Sequence, residues 1–95
     1  MNVPKVELNL LNIFWLKIKE KRIEYEGKTV NDVIKQFIKE YKDLLNGNLL
    51  NKNKKKISQN MLILVNGKDI NYLKKYKTKL KEGDKIYLSA PISGG

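Results

Sequence analysis

Leu80-Lys81-Glu82-Gly83-Asp84-Lys85-Ile86-Tyr87-Leu88-Ser89-Ala90-Pro91-Ile92-Ser93-Gly94-Gly95: across residues 80–95 a turn, a strand and a slim stretch of backbone follow one another. Glu82-Gly83-Asp84 has turn chemistry, because glycine accepts a left-handed backbone and aspartate bonds its own neighbouring N–H groups. A strand over 85–90 follows. Ile86 and Leu88 should point to one face, and Tyr87 and Ser89 to the other. Glycine carries no Cβ, so Gly94 and Gly95 can be drawn extended through a channel too narrow for other residues. The main-chain carboxylate of Gly95 is therefore the candidate functional group.

A carboxylate must be activated before it can transfer anything. The simplest route is attack of its oxygen on a nucleotide phosphate, giving an acyl-adenylate that a sulfur or amine nucleophile can open. The sequence contains no His, no Cys and no Gly-x-x-x-x-Gly-Lys phosphate loop, so an adenylating partner would have to bring the nucleotide site. The tail reads as a substrate. We expect no intrinsic enzyme activity, no bound metal and no resident cofactor, with ATP used by the activating partner. The absence of cysteine also excludes disulfides, Cys-zinc sites and a thiol nucleophile.

With 95 residues and 41% hydrophobic content, one domain over 1–95 with one core is expected, leaving little room for a deep catalytic cleft. No apolar run is long enough to span a membrane, and Met1-Asn2-Val3-Pro4-Lys5 lacks signal-peptide character, so the cytoplasm is the expected location. The net charge of +10 invites a nucleic-acid reading. Against it, Arg22 is the sole arginine, so the bidentate forks that read guanine and phosphate are nearly missing. The lysines are also spread along the whole sequence. An acidic partner surface is the expected use of the charge, and nucleic acid is not the expected main partner.

Working back towards the start, Val6, Leu8 and Leu10 alternate with Glu7 and Asn9, and Ile23 and Tyr25 with Glu24 and Glu26, before Gly27. These segments suggest a hairpin. Between them Ile13-Phe14-Trp15-Leu16 is a continuous apolar run, read as a strand end, a bulge or a loop folded onto the core. Trp15 is expected as core or half-buried cover. Thr29 and Asp32 resemble a capping box. Val30, Val33, Ile34, Phe37, Ile38, Tyr41, Leu44 and Leu45 then recur at helical spacing, with Asn46-Gly47 as the left-handed stop. Residues 48–60, including Lys54-Lys55-Lys56, read as a mobile, solvated insertion rather than a dedicated anion site. Residues 61–65, Met-Leu-Ile-Leu-Val, read as a fully buried strand closed by the Asn66-Gly67 turn. Residues 70–80 read as a short turn or one-turn helix. The whole is α+β, with a mixed β-sheet packed on one main α-helix.

Leu64-Val65-Asn66-Gly67-Lys68-Asp69-Ile70, Leu80-Lys81-Glu82-Gly83-Asp84-Lys85-Ile86 and Ala90-Pro91-Ile92-Ser93-Gly94-Gly95 together resemble the sulfur-carrier proteins. These are typified by the small subunit of molybdopterin synthase, the thiamine-pathway sulfur carrier and the archaeal small modifier proteins. The resemblance implies a β-grasp, ubiquitin-like fold. It also implies that Gly95 is adenylated by an enzyme of the ubiquitin-activating kind and then converted to a thiocarboxylate or joined to a lysine. Ser93 and Gly94 would thread the partner's channel, and Tyr87, Ser89, Pro91 and Ile92 would dock the partner. A synthase large subunit or another sulfur acceptor would follow. Ser89 and Ala90 depart from the residues usual in the molybdopterin case, and the Lys-rich segment is longer than usual. The rival reading is a basic β-grasp module that binds nucleic acid or an acidic protein without using its C-terminus.

Overall fold

The computed structural model describes residues 3–91. Among them strands β1 (Lys5–Leu10), β2 (Arg22–Glu26), β3 (Leu62–Val65), β4 (Lys68–Asp69) and β5 (Lys85–Ser89) form one sheet in the order β2-β1-β5-β3-β4. β1 pairs antiparallel with β2 and parallel with β5, while β3 is antiparallel to both β5 and β4. Helix α2 (Val30–Tyr41) covers one face. This is the ubiquitin-like β-grasp. Its last strand lies at the centre of the sheet beside its first.

The alternation expected of β1 and β5 sets the core. Val6, Leu8, Leu10, Ile86 and Leu88 are buried, and Val33, Ile34 and Phe37 of α2 close over them. The capping box at the start of α2 is formed: Asp32 N–H donates to Thr29 Oγ1 at 3.3 Å, and Thr29 N–H donates to Asp32 Oδ2 at 3.1 Å. Gly27 lets β2 run directly beneath that first turn, because a Cβ there would sit 2.9 Å from Asp32 Cβ. Asn66 and Gly67 both take positive φ, 51° and 88°, as the hairpin between β3 and β4 requires.

Several expectations are corrected. The run Ile13-Phe14-Trp15-Leu16 is neither strand nor loop but part of a second helix, α1 (Asn12–Ile18), so β1 and β2 are joined by a helix rather than by a hairpin turn. Phe14 and Ile18 are four residues apart, and both reach the core. α2 ends at Tyr41, before the Asn46-Gly47 stop; Gly47, with φ of 71°, opens a 3-10 turn (Gly47–Leu49) instead. Residues 48–60 are tied down. Leu49 and Ile57 are buried, Leu50 bridges to Ile57, and Asn51 Oδ1 accepts from Lys55 and Lys56 N–H. β3 is not buried on both sides: Ile63 and Val65 face the core, and Leu62 and Leu64 are only half covered. Residues 70–80 hold 3-10 turns at Ile70–Tyr72 and Lys75–Lys77.

Candidate functional site

The site is the place where β5 gives way to the tail. Ile86 and Leu88 anchor the strand at 0% exposure. Beyond Leu88 the pairing to β1 runs out, and Asn12 takes over. Leu11 N–H still donates to the Leu88 carbonyl at 3.0 Å. One step further, Ala90 N–H donates to Asn12 Oδ1 at 2.9 Å, while Asn12 Nδ2 donates to Ser89 Oγ at 2.9 Å and to the Ala90 carbonyl at 3.4 Å. Ser89 Oγ in turn donates to the Ala90 carbonyl at 2.8 Å.

The carboxamide thus does for Ala90 what a neighbouring strand would do, offering an acceptor and a donor side by side. Asn12 reaches this position at φ of 40°, in the left-handed region that asparagine tolerates better than most residues. Its Oδ1 also accepts from Ile13 N–H at 2.9 Å, which fixes the side chain to the start of α1. Tail root, β1 exit and α1 entry are therefore one hydrogen-bonded unit. Sequence reading missed Asn12 because its partners lie 77 and 78 positions away. The only local hint is a lone Asn opening an apolar run.

Of the residues expected to dock a partner, Tyr87 is half-buried on the open face of the sheet. There, with Asn9, Leu11, Trp15 and Arg22, it lines a shallow cavity of about 580 Å³. Ser89 is buried at the tail root rather than displayed, and Pro91 is exposed just past it. Ile92, Ser93, Gly94 and Gly95 lie outside the described residues. Of the aromatic pair Phe14 and Trp15, Phe14 is core, whereas Trp15 is 38% exposed on the rim of the open face, with Lys21 Nζ 5.8 Å from its ring centroid. Exposed Leu11 and Trp15 give this depression an apolar lip close to Asn12. No helix among the described residues is long and apolar enough to cross a membrane.

No curated protein sequence matches the chain. Among solved structures, the small archaeal modifier protein 1 of Methanosarcina acetivorans superposes with a TM-score of 0.84 at 24% identity, over 100% of both chains. The Haloferax volcanii HVO 2177 protein superposes with a TM-score of 0.77 at 27% identity, over 99% of this chain and 89% of that one. An Amycolatopsis orientalis BexX/CysO complex contains a chain that matches with a TM-score of 0.72 at 21% identity, over 95% of this chain and 99% of that one. The model of the ThiS family matches residues 13–95. That match leaves out β1, the residues around it and Asn12, and takes in the rest of α1, α2, the Asn66-Gly67 hairpin, β5 and the residues that follow it: the chain belongs to the ThiS family.

Proposed function

We propose that this protein is a sulfur carrier that acts through the Gly95 carboxyl, and that the folded domain serves to hold that group out to other catalysts. The supporting observation is the family match carried through residue 95 on a fold whose central strand, β5, immediately precedes residues 90–95 in the sequence. In the proposed reaction a Gly95 carboxylate oxygen attacks the α-phosphorus of ATP held by an adenylating enzyme, and pyrophosphate leaves. A sulfide-level sulfur then attacks the acyl carbon and displaces AMP, leaving a thiocarboxylate. A lysine amine attacking the same carbon would give an amide, so conjugation to proteins is open to the same intermediate. Gly94 and Ser93 thread the partner's channel, and no cofactor is held by the carrier.

The chain's own residues contribute placement. Asn12 and Ser89 fix the backbone of Ala90, and the depression lined by Tyr87, Trp15 and Leu11, which Asn12 also lines, offers an apolar docking surface. Pro91 and Ile92 would extend that contact. A partner with a matching apolar patch and acidic rim fits the Lys21 and Arg22 flank. The Amycolatopsis CysO chain is found in a complex with BexX, and by analogy a larger acceptor enzyme would receive the sulfur here.

The test is ATP–pyrophosphate exchange by the adenylating enzyme of the same cells. Exchange should depend on this protein and vanish when Gly95 is deleted; exchange that survives the deletion would overturn the reading. Intact-mass measurement on protein from its native cells then separates the outcomes. Sulfur in place of one terminal oxygen marks the carrier, and Gly-Gly remnants on lysines of other proteins mark a modifier.

A further inference from the structure

Lysines that are scattered in sequence are gathered in space on the side of the fold that carries the 3-10 turns. A cavity of about 670 Å³ is walled by Lys56, Lys74, Lys75 and Lys77, with Asp69 as the one carboxylate among its lining residues. Asp69 is already engaged, its Oδ1 accepting from Asn71 N–H at 2.8 Å. The floor is partly apolar, formed by Met61, Ile63 and Ile70. Past Lys56 the basic surface continues into a second depression, where Lys54, Lys55 and Lys56 face Lys35 and Lys39 of α2 and no carboxylate lines the wall.

The arrangement is built rather than loose. Tyr76 Oη accepts from Ile57 N–H at 3.1 Å, and Lys56 Nζ lies 4.9 Å from the centroid of the same ring, so the lysine loop is pinned to the turn opposite it. Burial pushes the Tyr76 phenol up, with the Ile57 N–H pulling the other way. Lys54 and Lys75 stand at φ of 61° and 53°. A lysine gains nothing locally from that left-handed conformation, and such residues gather at ligand clamps. Tyr72, which does not line the cavity but lies in sequence between its lining residues Asn71 and Lys74, is 84% exposed, the most exposed of the large hydrophobic side chains among the described residues. Packing gives no reason for an aromatic ring there.

We propose that this surface binds a single-stranded nucleic acid, with the backbone phosphates on Lys56, Lys74, Lys75 and Lys77 and a base stacked on Tyr72. A positively charged track with an aromatic platform is what such strands require. The continuation past Lys56 favours a strand over a free nucleotide, and the exposed ring favours bases over the carboxylates of an acidic protein. Arg22, the sole arginine, is absent from this surface, so the arginine fork that reads guanine is missing, and stacking and phosphate contacts, which any sequence offers, carry the binding. The activity is separate from the Gly95 carboxyl, and deleting Gly95 should leave it unchanged.

Fluorescence anisotropy of the full chain with a labelled single-stranded RNA of about 12 nucleotides tests the assignment. Raising salt from about 50 to about 200 mM should weaken binding roughly 50-fold, as for about four neutralised phosphates on a single strand. Tyr72→Ala should weaken it about tenfold and Tyr72→Phe hardly at all; the residue is exposed, so neither change threatens folding. Lys56→Gln/Lys74→Gln/Lys75→Gln should lose at least about tenfold, against less than about threefold for Lys5→Gln/Lys21→Gln/Lys85→Gln, an equal loss of charge on the sheet side. Equal losses for the two triple variants would overturn the proposal. So would polyglutamate competing as well as RNA while Tyr72→Ala binds as wild type, or ATP binding that RNA fails to displace.

Discussion

β5 is held at each end by an asparagine in a left-handed conformation, and the two ends serve different purposes. At its start Asn66, with φ of 51°, donates from Nδ2 to Asp84 Oδ1 at 2.9 Å and accepts from Lys85 N–H at 3.0 Å, while its own N–H donates to the Lys85 carbonyl at 2.7 Å. Asp84 Oδ2 accepts from Lys81 N–H, and Gly83 N–H donates to the Lys5 carbonyl, so this end closes on β1 and β3 together. At the other end Asn12 joins Ser89 and Ala90 to the first turn of α1, where its Oδ1 accepts from Ile13 N–H. The Asn66 end locks the sheet. The Asn12 end fixes Ser89 and Ala90 to the start of α1. Side chains of one type therefore join three strands at one end of β5, and join the strand to a helix start at the other.

The contrast can be broken or sharpened by mutation. Ile86→Ala, in the centre of β5 at 0% exposure, should cost about 3–4 kcal/mol in urea unfolding, setting the scale for loss of the strand's docking. Asn66→Ala should cost about 2–3 kcal/mol in the same measurement, combining lost hydrogen bonds with a left-handed alanine. Asn12→Ala, which likewise loses side-chain hydrogen bonds and leaves an alanine at positive φ, should cost a similar amount, about 2–3 kcal/mol, and, unlike Asn66→Ala, should slow adenylation at Gly95 about tenfold or more, through misplacement of the tail. A larger stability loss for Asn12→Ala than for Asn66→Ala, with adenylation unchanged, would invert the assignment. The smallest effect concerns β2, on the sheet's outer edge. Burial, followed by the 2.6 Å hydrogen bond that Tyr25 donates to Glu40, raises the Tyr25 phenol far above its ordinary value. A phenol held neutral in the fold stabilises fully below the unfolded value of about 10 and loses that contribution as pH rises beyond it. Stability measured against pH should therefore fall on the alkaline side above about pH 10, and Tyr25→Phe should flatten that limb.

The sheet framework was legible in the sequence because its signals are local. The Thr29–Asp32 pair caps α2 within one turn, Asn66-Gly67 forms its hairpin within two residues, and the alternation through Ile86 and Leu88 marks the buried face of β5. α1 was not legible. A seven-residue helix with Phe14 and Ile18 as its buried residues and no side-chain cap shows too little period to be told from a strand. The order of residues 48–60 escaped for a related reason: it rests on Leu49, Ile57 and the Asn51 carboxamide, and polar composition conceals such sparse anchors. At the candidate site, Gly95 and Tyr87 could be nominated from the residues themselves. Asn12 could not, since its role exists only when β1 lies beside β5. The gathering of Lys56 with Lys74 and Lys75 was hidden in the same way.

The parallel pairing of β1 with β5 also bears on biosynthesis. A ribosome emitting this polypeptide has made every other strand before the sheet's middle member emerges, so the core cannot zip shut until translation of β5 is complete, and the long-range closure should be a slow step of folding. If Gly95 is activated as proposed, its attachment to that innermost strand means that an unfolded copy does not present the residues before it, Ser89 and Ala90, in their folded setting. An activating enzyme that grips the domain as well as its end would thereby screen out immature molecules before spending a nucleotide on them.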